Sequence, residues 1–537
     1  MPVLDELRGW SAHHHRVVLL GLLALYALIS FLTFEPQPHS GGDNAGYITL
    51  ARSLLERGAY LDLYDPAEPP HTKYPPVFPG LLALGMLLGL QPWVGLKLIG
   101  VALGGGAIAG TYLWIRRRGR PALALGTAVV LALAPGILRE THWVLSDVPF
   151  WCLTALALWA FERLRPDDWR RFALAATLAV LAYFTRSAGL PLVLAAALWL
   201  GWRRHWRQLL AFALVLLPLA FLWWLRARHV TGVQYVGEFW LVDPYQPQLG
   251  RVDVPGLLAR LGDNLQKYLT IHLPILLTGA PGGGAVLASV GVVGFGIYGW
   301  IRRLRRARVA ELFLPLYLGL ILLWPAVWSG ERFLLPVLGL MLFYAGDGLV
   351  RAVGRTPRTR LLTGAAAAAL LVLLAAPGLA TATRFGLACN GAYRQGQRYA
   401  CVDPATQQFY ALAEWAGQAL PADAKVLSRK PRLFYVMSGL QGRNYPMAST
   451  TEALLAAADS AGARWVVLDQ LGGLAQRYLA PALLQRPRAF CVVQATDGGV
   501  VLFGIRPDAA TVPDGGAPGD PGAFEPCPAQ VDPGAAK

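Results

Sequence analysis

Short clusters of arginine divide this chain between long apolar runs, at Arg116 to Arg120, Arg163 to Arg171, Arg203 to Arg207, Arg302 to Arg308 and Arg351 to Arg360. No other feature restricts the fold as much. Of 537 residues, 55% are hydrophobic and only 15% are charged. A soluble core cannot hide that much apolar surface, but a bilayer accepts it as helices of about 20 residues each. The formal net charge of +16 does not point to nucleic acid, because these clusters carry it. Basic groups between apolar runs are how polytopic proteins hold their orientation. The run after Arg16 lacks a small-residue cleavage pattern and reads as a retained first span rather than a signal peptide.

If the clusters face the cytoplasm, the segments between them must leave and return. His13 to Arg16 then places the N-terminus inside, and 17–34 runs outward. The expected pairs are 121–138 with 148–162, 172–185 with 187–201, 208–225 with 283–301, and 312–328 with 333–350. Residues 93–115 form a span, 77–91 are re-entrant or interfacial, and 361–380 is the last outward span. The expected fold is a polytopic α-helical membrane protein of about 11 spans, placed in a bacterial inner membrane. No internal repeat is evident.

The outer side then holds 35–76, the turn from Arg139 to Asp147, the segment 226–282 and the tail. Residues 1–380 are expected to form the transmembrane domain with 35–76 as its outer loop, and 381–507 a small extracytoplasmic α/β domain. The latter alternates helical runs with short β-branched ones such as RWVVLD and CVVQA. Residues 508–537, rich in Pro, Gly, Ala and Asp, read as disordered. Cys389, Cys401, Cys491 and Cys527 all fall on the outer side, where local spacing favours pairing 389 with 401 and 491 with 527.

Ionisable groups at membrane depth are costly, so each needs a reason. Asp43 follows the first span in HSGGDNAGYITLARSLLERGAY, where Gly41 and Gly42 permit a tight turn. It reads as a helix N-cap, as a general base, or as both. Lys73 in HTKYPPVFPG is either a snorkelling anchor or a point charge for a phosphate. In RETHWVLSDVPF, Glu140, His142 and Asp147 share a short outer turn. They suit a divalent metal, with His39 or His71 added, or serve as caps beside an interfacial Trp143. Arg186 in FTRSAGLP and Arg332 in WSGERFLLP suit bidentate phosphate contact. The alternative for Arg332 is an internal ion pair with Glu331 or another carboxylate. Tyr235, Trp240, Tyr245 and Tyr268 make 226–282 an interfacial lid or a set of membrane anchors.

Taken in order, these features resemble the C-type integral membrane glycosyltransferases (GT-C). They are the outer-loop Asp, the Lys-Tyr-Pro-Pro turn, the Ser-Asp-Val-Pro loop, Thr-Arg-Ser-Ala-Gly and the Glu-Arg-Phe-Leu-Leu-Pro helix start. The nearest likeness is to family 39, with its protein O-mannosyltransferases and lipid A aminoarabinose transferases, over about residues 17–350 and into the tail. The resemblance implies a polyprenyl-phosphate-linked sugar donor and inverting hexosyl or pentosyl transfer to a lipid, glycan or protein acceptor. It implies Asp43 as catalytic residue, Lys73 as donor-phosphate ligand and Glu140 to Asp147 as a second acidic loop. The chain departs from the pattern at Asn44, where many relatives carry an acid, and at Thr72, where the aminoarabinose enzymes do.

Such a reaction needs developing phosphate charge to be stabilised, a task for Lys73, Arg186, Arg332 or a metal. It also needs a base for the acceptor hydroxyl, assigned to Asp43. Two other classes compete. One is a transporter or flippase of polyprenyl-linked substrates, which the lack of a repeat disfavours. The other is a membrane-anchored assembly or binding protein, which leaves Asp43 and Lys73 unexplained.

Overall fold

Proline and short polar breaks, rather than long loops, cut the apolar runs into helices. The computed structural model describes residues 14–228, 235–511 and 524–527. In chain order the helices used below are α1 His15–Leu32, α2 Gly42–Glu56, α3 Val77–Leu87, α4 Val94–Arg117, α5 Pro121–Leu133, α6 Pro135–Thr141 and α7 Asp147–Phe161. They continue with α8 Trp169–Thr185, α9 Leu190–Trp202, α10 Trp206–Arg228, α11 Val254–Lys267, α12 Gly283–Leu304, α13 Val309–Leu323, α14 Leu335–Ala352 and α15 Pro357–Arg394. The last three are α16 Pro404–Ala419, α17 Pro431–Ser438 and α18 Thr451–Ala461.

The chain divides into two compact units. The larger is Met1–Pro36, Thr72–Phe78 and Gly85–Gly391; the smaller is Gln37–His71, Pro79–Leu84 and Ala392–Lys537. The larger unit is a helical array. Among the described residues six helical segments are long and apolar enough to cross a bilayer: α1, α4, α10, α12, Glu331–Ala352 (which contains α14) and α15. The pair α5 and α6 makes a seventh if read as one span bent by 64°. Sequence patterning treats 121–138 as one straight span. Pro135 has no N–H to continue the helix and holds Ala134 extended (φ −69°, ψ 116°), so the chain breaks there. The segments α7, α13 and Ser187–Trp202 are apolar but shorter than that class. The expected count of about eleven depends on such pieces, since a straight crossing takes about 20 residues.

The core of this unit runs along α4, α7 and α14, with Trp114, Trp151, Phe343 and Tyr344 almost wholly buried. α12 and α14 meet backbone to backbone. A Cβ on Gly299 would lie 2.1 Å from the Tyr344 carbonyl oxygen, and one on Gly348 would lie 2.2 Å from that of Phe295. Only glycine allows this approach, as at the small-residue interfaces of membrane helices. α10 instead exposes Leu214, Leu217, Phe221 and Trp224, the surface of a helix that faces lipid.

The smaller unit is built on a five-stranded sheet in the order β2-β1-β3-β5-β4. Its strands are β1 Val426–Leu427, β2 Gly442–Arg443, β3 Trp465–Leu468, β4 Phe490–Ala495 and β5 Val501–Ile505. β1 pairs in parallel with β2 and β3, while β5 pairs antiparallel with β3 and β4. Parallel neighbours need a crossover, and α17 and α18 supply it. Leu427, Leu454, Val466, Leu483, Phe490 and Phe503 fill the core.

Two boundaries differ from the sequence reading. The first outer loop belongs with the sheet. The Gly442 amide donates to the Tyr64 carbonyl at 2.7 Å, Gln441 donates to the Leu63 carbonyl at 3.0 Å, and Arg443 pairs with Asp65 at 2.8 Å. Nor does the last helix stop at 380. α15 continues to Arg394, and at about 1.5 Å per residue its 38 residues reach about 57 Å, well beyond a hydrocarbon core. The tail read as disordered lies mostly outside the described residues, as does His13. Residues 524–527 are ordered, however. Val492 donates to Glu525 and Cys527 donates back to Val492, and Cys491 is disulfide-bonded to Cys527 as expected. Cys152 is free.

Candidate functional site

Of the residues singled out by sequence, Asp43 lies in the smaller unit. Lys73, Glu140, His142, Asp147, Arg186 and Arg332 lie in the larger.

Asp43 is half-buried in the first turn of α2, but it is not the N-cap. The cap is Gly41, whose backbone is extended and receives no side-chain capping bond. The turn is organised by His39, whose Nδ1 accepts the Gly41 amide at 2.8 Å and lies 3.2 Å from the Asn44 amide nitrogen. A Cβ on residue 41 would sit 2.8 Å from that Nδ1, so the turn needs glycine there. An acid in the first turn is favoured by the helix dipole. α17 packs on α2 and brings Lys430, whose ammonium donates to the Ser40 carbonyl at 2.7 Å. Burial pulls Lys430 below the usual lysine range, against the charges of Asp469, Asp403 and Asp43, which favour its protonated form. Sequence reading missed Lys430. It lies 390 residues from Ser40, and no local spacing connects them.

Lys73 is held by an acid and two rings. Its ammonium donates to both oxygens of Glu238, at 2.7 and 2.9 Å, and stands 5.0 Å from the Tyr235 ring centre and 5.6 Å from that of Trp328. The Glu238 side chain is only 7% exposed, so this pair is shielded from water and stronger than a surface bridge. An ammonium in such a cage is a poised point charge. A phosphate oxygen would have to share it with, or take it from, the carboxylate.

The remaining candidates form a chain of contacts. Asp147 opens α7 and accepts from Arg186 at 2.9 Å, and Arg186 also donates to the Ser146 hydroxyl at 3.1 Å. The Arg186 and Arg332 guanidiniums each lie 5.1 Å from the Phe333 ring centre, so the structure brings these two arginines to one residue. Next to them Glu331 binds Arg139 and lies 3.4 Å from His272. Glu140 is different. It is 2% exposed, neither carboxylate oxygen has a hydrogen-bond partner among the described residues, and the nearest cation is Arg139 at 3.7 Å. Arg139, His272 and Glu238 were not singled out by sequence, because each is recognisable only through its partner.

The metal reading does not fit these residues. Among the described residues no three His, Cys, Asp or Glu side chains gather as a ligand set, so Glu140, His142 and Asp147 do not converge. Asp147 is committed to Arg186. His142 is 1% exposed, packs edge-on to Phe34 at 5.2 Å and is pushed down to about 3, by burial first and by the Lys97 charge second. Of the added histidines, His71 is bound to Asp62 at 2.9 Å and His39 serves the Gly41 turn.

No family model and no curated protein matches the sequence. Solved structures do match the fold. The oligosaccharyltransferase of Archaeoglobus fulgidus in its apo form superposes with a TM-score of 0.57 at 15% identity, over 92% of this chain and 75% of that one. ArnT from Cupriavidus metallidurans bound to undecaprenyl phosphate gives 0.55 at 15% identity, over 91% of this chain and 98% of that one. Apo ArnT gives 0.54 at 17%, over 92% and 98%. This chain therefore shares its fold with that oligosaccharyltransferase and with ArnT, a multi-pass helical domain and a small C-terminal α/β unit.

Proposed function

We propose that this chain is a membrane glycosyltransferase that moves a hexosyl or pentosyl group from a polyprenyl-phosphate donor to an extracytoplasmic lipid, glycan or protein acceptor, with inversion. The observation that carries the reading is the likeness to ArnT, which extends over 98% of that protein and includes its undecaprenyl-phosphate complex. Asp43 takes the proton of the acceptor hydroxyl. The hydroxyl oxygen forms its bond to the anomeric carbon, and the carbon–oxygen bond to phosphate breaks with its electron pair on the departing polyprenyl phosphate. One displacement inverts the configuration, and no second nucleophilic carboxylate is required. Lys73 meets the donor phosphate in ground and transition states, and Arg186 and Arg332 add donors where charge develops. Among the described residues no set of metal ligands gathers, so the developing phosphate charge falls to these three side chains.

The test is incubation of the purified protein with labelled polyprenyl-phosphate sugars, following release of polyprenyl phosphate. Asp43→Asn keeps the shape and removes the base, so turnover is expected to fall by about 10²-fold or more with donor binding retained. Lys73→Ala is expected to weaken donor binding and turnover together. If Asp43→Asn turns over at the native rate, Asp43 is a helix-terminal acid and nothing more. If no donor releases polyprenyl phosphate, the glycosyltransferase reading fails.

A further inference from the structure

On the outer surface of the larger unit, a trough of about 390 Å³ runs between α12 and α14, lined by Val290, Gly291, Gly294, Phe295, Tyr298 and Ala352. Its lining is apolar and open, with Val290 54% and Tyr298 40% exposed. The trough exists because two positions carry no side chain. A Cβ on Gly291 or Gly294 would meet open space, whereas Gly299 on the same helix is locked against α14.

One end of the trough is strongly basic. Ala352 follows Arg351, and Tyr298 stands one helical turn before the exposed Arg302. Beneath them Asp347, fully buried, holds three guanidiniums: Arg120 at 3.1 Å, Arg303 at 2.9 Å and Arg351 at 3.0 Å. One carboxylate cannot neutralise three cations, so this knot keeps two formal positive charges before Arg302 is added. The positive-inside tendency accounts for arginines at this end of the helices. It does not account for an apolar trough that ends among them.

We propose that this trough holds one acyl chain of an anionic phospholipid, whose headgroup phosphate is received by Arg302 and the arginines around Asp347. The apolar lining matches a lipid tail, and the charge surplus matches a phosphate that no nearby acid supplies. Basic pockets between membrane helices bind anionic headgroups in this way. The site is independent of the residues assigned to sugar transfer.

The test is thermal unfolding of the full-length protein in detergent, titrated with phosphatidylglycerol, with phosphatidylcholine and with inorganic phosphate. Phosphatidylglycerol is expected to raise the Tm at concentrations at which the other two do not. Gly294→Leu fills the trough and replaces glycine with a better helix former, so folding is retained and the lipid-dependent shift is lost. Arg302→Gln is expected to weaken phosphatidylglycerol roughly fivefold, the scale of about 1 kcal/mol per basic residue near a lipid headgroup. An equal shift with phosphatidylcholine, an equal shift with inorganic phosphate, or an unchanged phosphatidylglycerol response in Gly294→Leu would each overturn the proposal.

Discussion

The two ends of the helical unit each bury a glutamate, Glu140 at one and Glu162 at the other, and treat it in opposite ways. α7 separates them, with Asp147 at its start and Glu162 just past its end, about 22 Å apart along 15 residues. At the Glu162 end the buried glutamates are each held by several donors. Glu162 accepts from Arg118 at 2.9 Å and from the Trp114 indole at 3.1 Å. Glu311 accepts from Arg118, from the Tyr344 hydroxyl at 2.7 Å and from the Arg308 amide at 2.9 Å. Asp347 has its three arginines. At the other end Glu140, equally buried, has no hydrogen bond among the described residues. A carboxylate left unsatisfied in a dry site costs free energy that a purely structural role does not explain.

Removing Arg118 should break that comparison most severely. Its side chain is 4% exposed and bridges Glu162 and Glu311, so Arg118→Ala leaves two buried acids without their shared cation. Breaking a buried pair in this way costs roughly 3–5 kcal/mol. Loss of folded protein, measured by fluorescence-detected size exclusion and thermal unfolding, is the expected result. A native Tm would show that this end is as tolerant as the other.

Glu140→Gln reads the opposite end. Replacing a carboxylate that accepts no hydrogen bond among the described residues is expected to leave the Tm unchanged or to raise it, while turnover with a polyprenyl-phosphate sugar falls at least tenfold. A destabilisation comparable to that of Arg118→Ala would place Glu140 among the structural acids and remove the contrast.

How far these ends were legible in sequence follows from the range of the contacts. The arginines of each cluster lie within a few residues of each other, so the membrane fold and the order of its helices could be read directly. The Pro135 break was present in the sequence as well, but hydropathy averages across it. Asp43 and Lys73 stood out because each is a lone charge beside an apolar run. Their surroundings did not, because Glu238 is 165 residues from Lys73. Glu162 was hidden differently. It lies immediately before an arginine cluster and looks like its solvated edge, although the structure buries it. The first outer loop was assigned to the membrane domain because it follows the first span. Only the backbone bond from Gly442 to Tyr64, 378 residues apart, shows which unit it completes.

Glu238→Gln sharpens the reading of Lys73. The substitution keeps the shape of the cage and removes the charge that competes with phosphate. Donor affinity is expected to rise by roughly threefold to tenfold, since a charge-assisted bond no longer has to be exchanged. The measurement is a binding isotherm with a polyprenyl-phosphate sugar. Weaker binding would mean that Glu238 positions Lys73 and does not mask it.

The smallest expected effect is the most discriminating one for the saturated end. Tyr344 is fully buried and its hydroxyl donates to Glu311 at 2.7 Å. Tyr344→Phe removes that one donor and leaves ring, volume and packing against Trp114 intact. Glu311 keeps Arg118 and the Arg308 amide, so its carboxylate is under-bonded but not abandoned. A hydrogen bond to a charged group is worth about 1.5–3 kcal/mol, and the retained partners place the expected loss at the low end. Turnover should not change. A double-mutant cycle with Arg118→Gln then tests whether the donors act together: coupling of roughly 0.5–3 kcal/mol is expected of residues that share one carboxylate. Strict additivity would mean that Arg118 and Tyr344 support Glu311 independently, and that the saturated end is a sum of pairs, not a network.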